Sequence, residues 1–193
     1  MKRALALVLA LLAAAAWARE NMPPRPGGRV FDGLRAEVAF TPGDAAARLI
    51  VRAIDSAQRA IYVQAFSFTH RAIADALLAA RRRGVDVRII ADARQAASIP
   101  TSLVDELAAA GIAVSLDGEH DAAHNKVMIL DPGTAAAAVV TGSYNFTHAA
   151  EFRNAENVVV LRGNRELSDV YLRNWLAHRA HSRSALESRE PAR

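Results

Sequence analysis

The chain has 193 residues, of which 52% are hydrophobic and 23% are charged, and its formal net charge at pH 7 is +4. The apolar fraction is sufficient for one globular core, and a charge this small does not by itself indicate a nucleic-acid-binding protein. The absence of cysteine excludes disulfides and thiolate metal sites.

Residues 1–18 have the pattern of a secretory signal peptide. Lys2 and Arg3 form a positive start, an unbroken apolar run follows, and the segment ends on the small-x-small sequence Ala-Trp-Ala. The run is shorter than the ~20 residues that span a bilayer, so we expect no stable membrane anchor. We therefore expect a periplasmic or secreted protein, and loss of both cations with the signal lowers its net charge from +4 to about +2.

The remainder of the chain predicts one folded domain over residues 34–183, between a flexible Pro-, Gly- and Arg-rich leader at 19–33 and a polar tail at 184–193. Strands that alternate with helices predict an α/β sandwich, in which helices flank a mixed β-sheet. Strands are predicted at 34–40, 61–66, 85–90, 112–116, 126–130, 136–140 and 157–161. Helices are predicted at 45–57, 73–83, 102–110 and 165–181.

Lys126 is the only lysine after the third residue, in a chain whose other cations there are all arginines. Lysine supplies a compact ammonium charge, whereas arginine supplies a planar fork. A site that holds one charge beside a reacting phosphate could require the lysine.

Polar residues cluster at the ends of three predicted strands. His124 and Lys126 share one face of a strand because strand faces repeat every two residues, and Asp131 lies on the turn at the far end of that strand. Ser143 and Asn145 follow the next strand with the same spacing. Asn154-x-Glu156 precedes the last strand, and open α/β sheets tend to bind ligands at such strand ends.

The pattern His124-x-Lys126-x4-Asp131, followed by Gly142-Ser143-x-Asn145 and Asn154-x-Glu156, resembles the HKD motif of the phospholipase D superfamily. The resemblance extends from about Phe40 to Trp175. It is strongest to the branch that has a single motif and contains small exported bacterial endonucleases.

The same residues have chemistry suited to phosphodiester cleavage. His124 can act as a nucleophile, and Lys126 and Asn145 can hold the phosphoryl oxygens, with the Ser143 hydroxyl as a donor at the pocket wall. Glu156 is expected to accept a hydrogen bond from the other ring nitrogen of His124. Asp131 is interpreted as a structural anchor.

One histidine cannot easily serve as both nucleophile and acid in a single step. The resemblance implies that single-motif members form an isologous homodimer, in which one His124 forms a phosphohistidine and its partner protonates the leaving oxygen. It also implies that no metal or other cofactor is needed, since two lysines and two asparagines supply the electrostatics.

The other histidines are interpreted as surface or capping residues: His70, His120, His148, His178 and His181. A metal site that uses His120 and His124 with Glu119 and Asp121 is a weak alternative, because these residues lie in a predicted loop. The aromatic residues Phe66, Phe68 and Phe146 are predicted to be core residues, and Tyr144 is predicted to point away from Ser143 and Asn145.

Three functions are compatible with this pattern. The preferred one is a metal-independent, non-specific endonuclease that acts on DNA or RNA through phosphate contacts. A phospholipase D-type lipid phosphodiesterase is the second, although lipid-acting members usually carry two motifs. A catalytically silent nucleic-acid-binding dimer is the third, and the presence of His124, Lys126 and Asn145 argues against it.

Overall fold

A computed structural model describes residues 31–186 of the chain. The predicted signal peptide, most of the leader and residues 187–193 of the tail lie outside the described residues. The described strands are β1 (Arg35–Thr41), β2 (Ala60–Ala65), β3 (Asp86–Asp92), β4 (Ala113–Asp117), β5 (Lys126–Leu130), β6 (Ala138–Gly142), β7 (Glu156–Arg162) and β8 (Arg183–Ser184). The described helices are α1 (Ala46–Ser56), α2 (Arg71–Arg82), α3 (Ala93–Ser98), α4 (Val104–Ala109), α5 (His148–Phe152) and α6 (Arg165–His181).

The strands form one mixed eight-stranded sheet in the order β1-β7-β6-β5-β2-β3-β4-β8. The pairs β2–β3 and β3–β4 are parallel, and the other neighbours are antiparallel. The predicted α/β sandwich with a mixed sheet is therefore confirmed. The parallel pairs arise because α2 and the α3–α4 segment cross between them. In contrast, β5, β6 and β7 are antiparallel neighbours, joined by residues 131–137 and by residues 143–155, which contain α5.

Several strand ends that carry motif residues lie together along one edge of the sheet, the edge that runs across the strands. Ala65, the last residue of β2, pairs with Lys126, the first residue of β5. Thr41 at the end of β1 pairs with Glu156 at the start of β7. The carboxyl ends of β3 and β4 lie at the same edge, which we call the site edge, because both strands run parallel to β2.

The two faces of the sheet have separate cores. Met128 and Leu130 of β5 belong to the larger core, which α1 and α2 cover with buried residues such as Ile50 and Leu77. The alternate residues of β5 belong to a smaller core beneath α6, whose Trp175 stacks on Tyr62 with ring centroids 4.8 Å apart. This alternation is the period-two pattern expected of a strand that is buried on both faces.

Three short elements were not predicted: the helices α3 and α5 and the strand β8. Helices α3 and α5 have only six and five residues, too few for a helical period, and each begins at a side-chain cap. Asp92 accepts from the N–H of Gln95, and Thr147 accepts from the N–H of Ala150.

The predicted start of the polar tail at residue 184 is wrong. Ser184 pairs with Ser115 in the sheet, and Ala185 is buried, with its N–H bonded to the carbonyl oxygen of Val114. The short β8 segment has no apolar alternation, so only the unpaired edge of β4 explains it. Within residues 31–186 we find no helix with the length and apolarity required to cross a membrane.

Candidate active site

His124 and Lys126 lie together at the site edge, where a loop enters β5. The His124 side chain is exposed, whereas Lys126 is buried. The Lys126 ammonium donates to the backbone carbonyl oxygen of His124 at 2.7 Å and lies 4.9 Å from the centroid of the Phe66 ring. The Phe66 and His124 ring centroids are 4.4 Å apart.

Phe66 is therefore a wall of the site, and its interpretation as a core residue is wrong. Phe68 and Phe146 are core residues, as predicted. The pairing of Ala65 with Lys126 explains the difference, because the residue after β2 must emerge beside the motif. This strand pairing is not visible in the sequence.

The ammonium of Lys126 is held in an unfavourable environment for a charge. Burial lowers the pKa of Lys126 from 10.5 to about 8, although the nearby carboxylate of Glu156 acts in the opposite direction. No carboxylate in the described part of the chain lies within ion-pairing distance of Lys126. A bound phosphate would supply the missing negative charge.

Ser143 follows β6, the next strand in the sheet. Continuing the register Met128–Val140 brings Lys126 level with Gly142, the last residue of β6. Gly142 has φ +147°, and a Cβ there would lie 2.3 Å from the carbonyl oxygen of Asn157, so only glycine allows this approach of β6 and β7. The N–H groups of Ser143 and Tyr144 both donate to that same oxygen.

The Glu156 carboxylate is hydrogen-bonded to Ser143 and Asn154. It accepts from the Ser143 hydroxyl at 2.6 Å and from the Asn154 amide at 3.0 Å. The hydrogen bond predicted between Glu156 and the ring of His124 is not formed among the described residues. The reason is that two other polar side chains lie closer to Glu156. Ser143 follows the adjacent strand β6, and Asn154 lies in the segment that leads into β7.

Asn145 follows Ser143 into the loop after β6. Its side-chain oxygen is buried and has no hydrogen-bond partner among residues 31–186. Tyr144 points the opposite way, as predicted: it is buried and donates to Glu151 at 2.9 Å. Because an amide oxygen only accepts hydrogen bonds, the NH2 group of Asn145 is the part that could donate to a phosphoryl oxygen.

Asp131 lies at the opposite end of β5 from Lys126. Its carboxylate accepts from the backbone N–H groups of Gln58, Arg59 and Ala60, with a shortest distance of 2.7 Å to Arg59. It adopts φ +47°, a left-handed conformation that aspartate tolerates better than most residues. These contacts tie β5 to the start of β2, and they leave Asp131 remote from the reacting groups.

A second polar cluster lies farther along the site edge. The buried Asp117 carboxylate, at the end of β4, lies 2.7 Å from His178 Nδ1, 3.2 Å from His181 Nε2 and 3.5 Å from His120 Nδ1. Burial acts to raise the pKa of Asp117, but hydrogen bonds from His178, His181, the Glu119 N–H and His120 lower it to about 2.

His120 and His181 are exposed, as predicted for surface residues, and His178 is half-buried, but the sequence did not predict that the three meet at one carboxylate. His120 comes from the loop after β4, and His178 and His181 come from the end of α6. The i, i+3 spacing of the last two was the only signal in the sequence, since it places both on one helix face.

Comparisons with known proteins agree on one family. A family model described as "Cardiolipin synthase, PLD-like domain" matches residues 50–177. A Rickettsia felis protein named phospholipase D is 43% identical over 149 residues, which are 76% of this chain and 72% of that protein.

Solved structures give the same result. Nuc from Salmonella typhimurium, a phospholipase D family member, superposes with a TM-score of 0.73 at 37% identity, covering 78% of this chain and 97% of Nuc. NucT from Helicobacter pylori superposes with a TM-score of 0.69 over 78% of this chain and 99% of that chain. Its 21% identity supports the fold alone.

Proposed function

This chain belongs to the phospholipase D superfamily and is a phosphodiesterase of that class, and from this premise we propose that it is a metal-independent, non-specific endonuclease. The observation that carries the proposal is the buried ammonium of Lys126, which has no carboxylate within ion-pairing distance among residues 31–186 and lies beside the exposed imidazole of His124. That pair can hold a phosphodiester while a nucleophile attacks it.

The proposed reaction has two displacement steps. A ring nitrogen of one His124 attacks phosphorus, the bond from phosphorus to the leaving oxygen breaks, and a second histidine gives that oxygen a proton. Water then loses a proton to the second histidine and attacks the phosphohistidine, which breaks the P–N bond and restores both rings. Lys126 and Asn145 stabilise the charge on the phosphoryl oxygens in both steps.

The second histidine requires a second chain, because the motif occurs once in the sequence. We infer an isologous homodimer. Exposed apolar side chains support this inference: within residues 31–186, Val38 and Phe40 of the edge strand β1 are 54% and 60% exposed. Their paired neighbours on β7 include Val159, which is only partly buried.

A nucleic-acid substrate is favoured by positive charge on both sides of the site. Arg153 is exposed and has no ion-pair partner in the described chain, and it lies just before β7. Arg94 is exposed just after β3. The ends of β7 and β3 are four strand spacings apart, roughly 19 Å, which matches several phosphates of a polynucleotide but exceeds one lipid head group.

A phospholipid substrate is the second candidate. The name of the Rickettsia felis relative, phospholipase D, and the cardiolipin synthase description of the family model both favour it. The same pair of histidines would then hydrolyse the phosphodiester of a lipid head group. Substrate choice, and not the first chemical step, separates the two candidates.

The test is a parallel assay of the full-length protein on plasmid DNA, RNA and phospholipid vesicles, each in excess EDTA. We expect nucleic-acid cleavage in EDTA that is abolished in His124→Ala and retained in the control His148→Ala, another exposed histidine. Labelled phosphate trapped on the wild type and not on His124→Ala would identify the covalent intermediate.

Each other outcome has a defined meaning. Head-group release without nucleic-acid cleavage would make the lipid candidate correct. Activity that needs an added divalent cation, in protein whose melting temperature EDTA leaves unchanged, would contradict the metal-independent mechanism.

A further inference from the structure

The cluster around Asp117 has the composition and geometry of a metal centre. One ligand atom from each of Asp117, His120, His178 and His181 lies within 4.8 Å of the other three. No comparable group occurs elsewhere in the described ranges of the chain. Three imidazoles and one carboxylate form a ligand set suited to zinc and similar divalent ions, whereas magnesium and calcium prefer oxygen ligands.

The spacing of the ligand atoms supports this assignment. Zinc–ligand bonds of ~2.0–2.2 Å in a tetrahedron separate the ligand atoms by about 3.3–3.6 Å. Asp117 Oδ2 lies 2.7 Å from His178 Nδ1 and 3.2 Å from His181 Nε2, and Asp117 Oδ1 lies 3.5 Å from His120 Nδ1. A bound ion would replace these direct contacts with bonds from the same atoms to the metal.

The arrangement of the rings also favours an ion at their centre. The centroids of His120 and His178 are 4.9 Å apart and those of His178 and His181 are 5.3 Å apart. An imidazole ring presents a nitrogen lone pair to a metal ion, and a divalent cation at the centre of the three rings would balance the buried Asp117 carboxylate.

We propose that Asp117, His120, His178 and His181 bind one Zn²⁺-like transition-metal ion in a closed, four-ligand structural site. The ion joins the loop after β4 to the last turn of α6 and to the sheet. It takes no part in the phosphodiester chemistry, since β4 and β5 are three strand spacings apart, roughly 14 Å. The proposal does not depend on the substrate of the His124 site.

The site is connected to His124 by the loop at 118–125. His120 is near the start of this loop and His124 is near its end. Between them, the N–H of Ala123 donates to Asp92 at 2.8 Å, and Arg94 donates to the carbonyl oxygens of His120 and Asp121. A metal at His120 would therefore fix the first half of the loop that carries the nucleophile.

Metal content of the full-length protein is the first measurement, on material purified without chelator and without a polyhistidine tag. We expect about one zinc ion per chain, and recovery of that stoichiometry after chelation and titration with Zn²⁺. The melting temperature should fall on chelation and rise with added Zn²⁺, since the ion binds the folded chain. Replacement by Co²⁺ should give the visible absorption of a tetrahedral site.

Single variants locate the ion. His120→Ala, in an exposed loop, and His181→Ala, with an exposed side chain, should each weaken Zn²⁺ binding by on the order of 100-fold or more, because loss of a ligand exceeds loss of an outer-shell group. The Co²⁺ spectrum should change in both variants, and His148→Ala should behave as wild type. If His181→Ala, in helix α6, fails to fold, the loop variant His120→Ala still tests the site.

Two results would overturn the proposal. Absence of stoichiometric metal, together with no shift in melting temperature on addition of Zn²⁺ or Co²⁺, would show that the cluster is held by hydrogen bonds alone. Stoichiometric metal that survives both His120→Ala and His181→Ala unchanged would show that the ion binds elsewhere.

Discussion

The two polar clusters of the site edge differ in how their charges are compensated. The Asp117 carboxylate meets three imidazoles and the N–H of Glu119, all from its own chain. Among the residues that the structure describes, the Lys126 ammonium has one hydrogen bond, to a backbone carbonyl oxygen. Contacts from its own chain hold the Asp117 carboxylate in the fold, with or without an ion at their centre, whereas an anionic ligand could compensate the Lys126 ammonium.

The pKa values of the two groups express the same difference. Burial disfavours the charged form of both residues. For Asp117 the hydrogen bonds outweigh burial and lower the pKa to about 2, so folding stabilises its charge. For Lys126 burial prevails and lowers the pKa to about 8, so folding destabilises its charge. We therefore expect substitutions at Lys126 to cost activity, and substitutions at structural carboxylates to cost stability.

Lys126→Met is expected to have the largest effect on activity. Loss of one donor to a developing phosphoryl charge should lower kcat by about 100- to 1,000-fold. Thermal stability should be unchanged or raised, because the variant removes a buried charge that has no carboxylate partner. Steady-state kinetics and a melting curve on the same preparation test both parts. A strongly destabilised Lys126→Met would contradict the contrast between the clusters.

Asp131→Ala should have the opposite effect, at the other end of the same strand. It removes the acceptor of three backbone N–H groups and puts alanine at a left-handed φ, so we expect a loss of about 2–4 kcal/mol in the free energy of unfolding. Urea denaturation measures this loss. The exposed Asp55→Ala serves as the control, with an expected change within about 0.5 kcal/mol. Activity per folded molecule should stay near wild type, and a fall as large as that of Lys126→Met would assign Asp131 to the chemistry.

The pH dependence of activity sharpens the comparison. Because the pKa of Lys126 is lowered to about 8, its charge is present below that pH and is lost as the pH rises through it. We expect kcat to decline toward tenfold per pH unit above about 8. Stability should rise over the interval from about 8 to 10.5, since the unfolded chain then binds more protons than the folded one. A profile for Lys126→Met that keeps the same alkaline decline would assign the decline to another group.

Ser143→Ala should have the smallest effect. The hydroxyl donates to Glu156 and accepts from the N–H of Asn157, so its loss should cost about 0.5–1.5 kcal/mol of stability. Activity should fall only a few-fold, because Lys126 and Asn145 remain. An effect equal to that of Lys126→Met would show that the hydroxyl touches the phosphate directly.

Arg153→Gln tests whether the substrate is a nucleic acid. If Arg153 contacts a nucleic-acid backbone, the variant should raise KM for DNA and reduce the salt dependence of cleavage by about one phosphate contact. The exposed Arg52→Gln on α1 is the matched control. Equal salt dependence in wild type and Arg153→Gln would show that Arg153 does not contact the phosphate backbone of a polynucleotide substrate.

The sequence by itself determined the main elements of the fold and the position of the motif on them. The apolar run after Lys126 predicts a buried strand up to Leu130, and α6 has the predicted bounds. The two-residue repeat of strand faces places His124 and Lys126 on one face. Asp131 was interpreted as an anchor from its place on an Asp-Pro-Gly turn, and its three backbone contacts agree with that interpretation. The strand, the helix and the turn depend on neighbours in the chain, so local patterning is sufficient to predict them, whereas the partners of Asp131 come from a distant segment.

Only the tertiary structure decided which distant residues meet. Asp117 and His181 are brought together because β4 lies near the end of α6, and Phe66 reaches His124 because β2 pairs with β5. The partners of Glu156 and the pairing of β8 also depend on strand order. Strand order is fixed by burial of the two faces of the whole sheet, a property that no single segment of the sequence carries.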